Sequence, residues 1–96
     1  MIITVVGLGV IGGSFVKALK GKGYDVYGVD CDLKTLEMAK AEGCIIEGYQ
    51  DGHEIIARSD LTIICLYPSK VLEFIANHQF KKGSIVTDVV GIKSYF

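Results

Sequence analysis

Three glycines set the first chemical expectation. Gly7-Leu8-Gly9-Val10-Ile11-Gly12 spells G-x-G-x-x-G, directly after the β-branched run Ile2–Val6 and directly before a helical pattern. In that context each glycine has a task. Gly7 permits a tight strand-to-helix turn, Gly9 lets a pyrophosphate reach the backbone, and Gly12 lets the helix pack closely on the sheet. The helix N-terminus supplies free N–H groups and partial positive charge to the phosphates. Asp30 lies 18 residues after Gly12, at the end of the next apolar run. A carboxylate there accepts the two ribose hydroxyls of an adenosine and repels a 2′-phosphate, and no arginine follows it closely; Lys34 is the nearest cation. The pair of features predicts a dinucleotide site that prefers NAD over NADP.

Little else in the chain offers chemistry. His53 and His78 are the two histidines, and neither has a carboxylate or nucleophile partner by spacing. No catalytic residue is therefore predicted among them. Cys31, Cys44 and Cys65 are too far apart for metal-ligand or redox pairs. Cys44 and Cys65 read as buried apolar residues of a reducing, cytoplasmic setting. Cys31, between Asp30 and Asp32, lacks the positive neighbour that would favour a thiolate. No metal site is expected.

The elements that must hold these residues alternate along the chain. The strands Ile2–Val6, 25–30, 44–46, 61–66 and 84–88 are separated by helical stretches. Ile11, Phe15, Ala18 and Leu19 recur at helical spacing in the first stretch; Gly21 and Gly23 end it. Asp32 is placed to cap a second helix running through Glu42, with Leu33, Leu36 and Ala39 inward and Gly43 as its stop. Asp51-Gly52-His53-Glu54 reads as a capping box with Asp51 at the N-cap. A fourth helix puts Val71, Leu72 and Ile75 on one face, and Pro68 either fixes the backbone near the cofactor or opens that helix. Strands that are apolar throughout, rather than alternating, belong in a parallel sheet covered on both faces. The fold class is thus α/β, a Rossmann-like doubly wound parallel sheet of about five strands in the order 3-2-1-4-5. The carboxyl ends of strands one, two, four and five then bring Gly7, Asp30, Leu66-Tyr67 and Asp88 to one edge.

Composition agrees with one such domain. With 96 residues there is room for a single core. Ten basic against 11 acidic residues, net −1, give no electrostatic ground for nucleic acid or an acidic membrane surface. Half the residues are hydrophobic, but in runs too short to span a bilayer. The apolar start lacks a basic n-region and reads as a strand, not a signal peptide.

Four segments together carry a family resemblance: Gly7-Leu8-Gly9-Val10-Ile11-Gly12-Gly13-Ser14, Val29-Asp30, Leu66-Tyr67-Pro68 and Thr87-Asp88-Val89-Val90-Gly91-Ile92-Lys93. The chain resembles, over its whole length, the N-terminal domain of prephenate/arogenate dehydrogenases. These enzymes oxidatively decarboxylate prephenate or arogenate in tyrosine biosynthesis, passing hydride to NAD or NADP. The resemblance implies that Gly7, Leu8, Gly9, Val10, Ile11, Gly12, Asp30 and Cys31 hold the dinucleotide. It also implies that Leu66, Tyr67 and Pro68 flank it toward the nicotinamide. Gly91 stands where members often carry serine. The family's catalytic histidine and its helical domain follow the last motif, in a stretch that would begin beyond Phe96. The expectation is a cofactor domain, the N-terminal part of a longer enzyme and inactive alone, self-associating through Val89, Val90, Ile92, Tyr95 and Phe96. Two other readings stay open: a non-catalytic NAD-sensing regulatory module, and the cofactor domain of another NAD(P)-dependent dehydrogenase.

Overall fold

The computed structural model describes residues 1–89 and, as backbone, the strand at 93–95. In chain order the elements are β1 (Ile2–Val6), α1 (Val10–Leu19), β2 (Asp25–Val29), α2 (Leu33–Ala41), β3 (Gly48–Tyr49), α3 (His53–Arg58), β4 (Leu61–Ile64), α4 (Pro68–Asn77), β5 (Ile85–Asp88) and β6 (Lys93–Tyr95). They form one sheet in the order β3-β2-β1-β4-β5-β6. The first five strands are parallel in the expected order; β6, a strand beyond the five expected, adds antiparallel to β5 at the edge.

Both faces are covered, as the apolar strands require. Successive strand residues point to opposite sides. Ile3, Val5, Val26 and Ile63 pack with Val16 and Leu36 of α1 and α2. Val6, Val29, Ile64 and Val86 pack with Ile55, Ile56 and Val71 of α3 and α4. The buried Thr4 hydroxyl is matched by Ser59 Oγ at 2.6 Å, and Ser59 Oγ donates to Ile55 O at 2.7 Å. A polar pair inside the core is thereby satisfied.

Several local expectations shift. Residues 44–46 are not the third strand. Cys44 N–H is drawn back to Ala39 O at the end of α2; Ile46 N–H reaches Val26 O at 2.8 Å, and the paired strand itself is Gly48–Tyr49. Asp51 is not the cap of α3. Gly52 takes that place at φ 70, and an added Cβ there would lie 2.4 Å from Val29 Cγ2. In α1 the inward residues are Gly12 and Val16, while Ile11, Phe15 and Ala18 face outward. Close contact at Gly12 fixes the helix's rotation. In α4 Val71 is buried and Leu72 is exposed, with Phe74 packed on the core instead. Leu33 of α2 is exposed, although Leu36 and Asp32 behave as expected: Asp32 accepts from Lys34 N–H at 3.0 Å. Val89 is exposed; Val90, Gly91, Ile92 and Phe96, and the Tyr95 side chain, lie outside the described residues, so the self-association surface and the Gly91 position do too.

Candidate functional site

β1 stops at Val6 because Gly7 turns the chain at φ 86, a left-handed conformation open to glycine. A Cβ there would stand 2.7 Å from Cys65 O. Leu8 then dives into the core against Gly28 of β2, and Gly9 begins α1. Gly12 is locked in place: its Cβ would fall 1.7 Å from Gly7 O. Gly9 differs, since no atom lies within 4 Å of where its Cβ would be. It is the N-cap of α1, makes no side-chain cap, and the first turn holds no acidic residue. The opening amides of α1 therefore lack both an intrahelical partner and a neutralising side chain. That is the geometry an anionic group needs.

Asp30 closes the arrangement from β2. Its Oδ2 accepts from Leu8 N–H at 2.8 Å and its Oδ1 from Asp32 N–H at 2.9 Å. The carboxylate thus ties the end of β2 to the glycine turn and is held in one orientation. A carboxylate offers about four acceptor sites, so two remain for ligand hydroxyls.

Beside Asp30 and the Gly7 turn lies a crevice of about 210 Å³, lined by Val6, Gly7, Val29, Asp30, Cys31, Gln50, Leu66 and Phe74. It sits where the chain leaves β1 for β2 on one side and has β4 on the other, the switch point at which open parallel sheets bind ligands. Of the sequence-predicted residues, the crevice unites Gly7, Asp30, Cys31 and Leu66. Leu8, Gly9 and Val10 line a larger hollow of about 430 Å³ between α1 and α2. That hollow offers less for recognition, since its hydroxyls are already engaged: Ser14 donates to Val10 O and Thr35 to Asp32. Ile11 lies on the outer side of α1, exposed. Tyr67 is exposed at the start of α4, and Pro68 is that helix's first residue; neither lines the crevice.

Gln50 and Phe74 line the crevice although the sequence reading passed over them. Gln50 Nε2 donates to Cys31 O at 3.1 Å, joining the loops after β3 and β2. A third strand placed at Gly48–Tyr49 would have put Gln50 on the same carboxyl edge as Asp30. Phe74 is three residues after Val71, the spacing of a shared helix face. His53 and His78, unpaired by spacing, are stacked with ring centroids 4.3 Å apart. Cys31 is exposed and Cys44 buried. Cys65 is half-buried behind Gly7, and burial pushes its thiol up to about 11. Among the described residues no group of three or more His, Cys, Asp or Glu could hold a metal ion, and no helix is long and apolar enough to cross a membrane.

Comparison with known proteins bears on the whole of this edge. A prephenate dehydrogenase from A. aeolicus, solved with hydroxyphenyl propionate and NAD+, superposes with a TM-score of 0.80 at 24% identity over 92% of this chain and 32% of its own. Synechocystis arogenate dehydrogenase gives 0.80 at 27% identity over 93% of this chain and 32% of its own. Mycobacterium tuberculosis 3-hydroxyisobutyrate dehydrogenase gives 0.80 at 22% identity, over 91% and 30%. The chain thus spans about a third of the length of these structures. No curated protein matches by sequence. The family model for the NAD binding domain of 6-phosphogluconate dehydrogenase matches residues 2–94. With the glycine turn, the open α1 terminus and the anchored Asp30 all inside that span, the chain belongs to this family of NAD-binding domains.

Proposed function

We propose that the chain is the cofactor half of a prephenate- or arogenate-oxidising dehydrogenase. The observation that carries the cofactor part is the open position at Gly9 on an uncapped helix terminus, together with an Asp30 carboxylate fixed by two backbone amides, one of them Leu8 N–H. Gly7, Leu8, Gly9, Val10, Ile11 and Gly12 border the pyrophosphate. Asp30 takes the adenosine ribose, with Cys31 beside it and the crevice wall of Leu66 behind. Tyr67 and Pro68, exposed at the start of α4, flank the nicotinamide side. Bound NAD supplies the hydride acceptor; the chain's own residues bind it, orient it and exclude a 2′-phosphate.

The substrate assignment rests on the motifs at 7–14 and 87–93 and on the likeness to the arogenate and prephenate dehydrogenases. Oxidative decarboxylation needs a base for the substrate hydroxyl. Neither histidine is at the crevice edge by Gly9 and Asp30, so the base and the substrate pocket belong to a further part of a longer polypeptide. Three free cysteines support a reducing, cytoplasmic setting for that enzyme. The apolar residues Val89, Val90, Ile92, Tyr95 and Phe96 support self-association through the C-terminal region. Calorimetric titration with NAD and NADP tests the cofactor part. NAD is expected to bind and NADP to bind at least tenfold more weakly. Asp30→Ala should narrow that gap, and equal NAD affinity of variant and wild type would remove Asp30's ribose role. Prephenate turnover by the 96-residue chain alone would refute the division of labour.

A further inference from the structure

We propose that His78 is a proton-dependent positioning residue for the cofactor crevice, so that NAD affinity rises when its ring is doubly protonated. This rests on the NAD reading above. His78 ends α4, and its two ring nitrogens each meet a backbone carbonyl: Nδ1 lies 2.9 Å from Phe74 O, and Nε2 lies 3.0 Å from Asp51 O. A carbonyl oxygen only accepts. A neutral imidazole has one N–H to give and sets its other lone pair against an oxygen; the imidazolium donates to both. The neutral ring therefore keeps one contact and gives up the other.

Phe74 O belongs to the last turn of α4, whose carbonyls lack intrahelical donors, and that turn holds no other basic residue. The ring is sandwiched between Phe74, 3.9 Å away, and His53 of α3, 4.3 Å away. His53 is exposed. The other charges nearby are Lys70 and Glu73 of α4, which line the same 270 Å³ hollow as His78 and lie 3.9 Å apart. Asp51 itself and Glu54 beside His53 add negative charge at the start of α3. Lys81, three residues on, is held by Asp60.

The link reaches the crevice on two sides. Phe74 lines it directly, and Asp51 follows Gln50, which lines it and binds Cys31 O. Losing the Asp51 contact frees α4 from the loop that carries Gln50, and the wall opposite Asp30 loosens. Imidazoles change charge between about pH 5 and 8. Across that range the dissociation constant for NAD should rise about fivefold, the worth of one hydrogen bond. By reciprocity, NAD should raise the midpoint of the His78 ring titration.

The test is NAD titration of the chain from acid to mildly alkaline pH, with ring ¹⁵N NMR in parallel. His78→Gln, which keeps one donor and cannot titrate, should give a flat profile at the weaker affinity. His53→Gln should keep the slope. A flat wild-type profile, or a slope that survives His78→Gln, overturns the proposal while leaving NAD binding intact. Absence of NAD binding at every pH refutes the cofactor reading and this proposal together. An NMR result in which the ring never carries both N–H protons at acid pH refutes this one independently of NAD.

Discussion

Alanine at Gly12 and alanine at Gly9 should fail in opposite ways. At Gly12 the new methyl carbon would stand 1.7 Å from Gly7 O and 2.8 Å from Gly7 C, both backbone atoms. A carbon and a carbonyl oxygen rest no closer than about 3.3 Å, so α1 and the turn must part by roughly 1.6 Å. Parting them lifts Val16 from its place against β1 and β2. Overpacking of this kind costs about 1–3 kcal/mol or more, against a gain of about 1 kcal/mol from alanine's helix propensity. With only backbone to yield, the upper end applies. The net loss is about 2 kcal/mol, on the order of 8–16 °C in Tm for a domain of this size. At Gly9, φ is −69° and nothing lies within 4 Å. The cap change costs about 1 kcal/mol or less, yet the methyl occupies the space through which a phosphate would reach the α1 amides. NAD affinity should fall at least tenfold. Thermal melting and calorimetry on both variants separate the two roles. A Gly12→Ala protein melting within about 3 °C of wild type would refute the packing argument. A Gly9→Ala protein that binds NAD normally would refute the assignment of the open position to phosphate.

The remaining expectations concern pH, thiols and the core. The Asp60 carboxyl is held below the usual range by its hydrogen bond from Lys81 and by Ile2 N–H, so it contributes stability above the unfolded carboxylate value of about 3.9. That contribution disappears as pH falls through the lowered folded value. Asp60→Asn should lower the urea midpoint at neutral pH and converge on wild type in acid; a constant gap across pH would contradict the assignment. Iodoacetamide at mildly alkaline pH should modify exposed Cys31 well before Cys65, whose thiol is at about 11, and saturating NAD should slow the Cys31 reaction; mass spectrometry reads both. Thr62 is fully buried and its hydroxyl finds no partner among the described residues, so Thr62→Val should raise stability by about 1 kcal/mol. A drop in Tm would show that the hydroxyl is in use.

What could be read from sequence depended on how local its cause was. The parallel order and the glycine turn follow from apolar strands and from spacing within a few residues, and both stand in the structure. The third strand was misread because its apolar residues, Cys44 and Ile45, are buried in the core without pairing there. The paired residues are Gly48 and Tyr49, whose pattern is weak. That displacement hid Gln50. The rotation of α1 was misread for a related reason: hydrophobic spacing favours Ile11 and Phe15, but a glycine packed on a carbonyl outranks them. The stack of His53 on His78 joins residues from different helices, and no pattern along the chain encodes it.

The site's design explains how structures at 22–27% identity can share this fold at a TM-score of 0.80. Most core positions ask only for an apolar side chain of suitable volume. The cofactor edge as proposed asks for almost no side chains at all: backbone amides, the absence of a Cβ at Gly7, Gly9 and Gly12, and one carboxylate. Such a site tolerates wide change around it. It follows that this domain cannot choose a substrate through its glycine turn, which presents only backbone to an anion. Other side chains face the crevice without being needed for the turn. In this chain those are Cys31, Gln50, Leu66 and Phe74. Two of them are joined to His78 through its contacts with Phe74 and Asp51. On the proposal for His78, this is the wall that a single proton tightens.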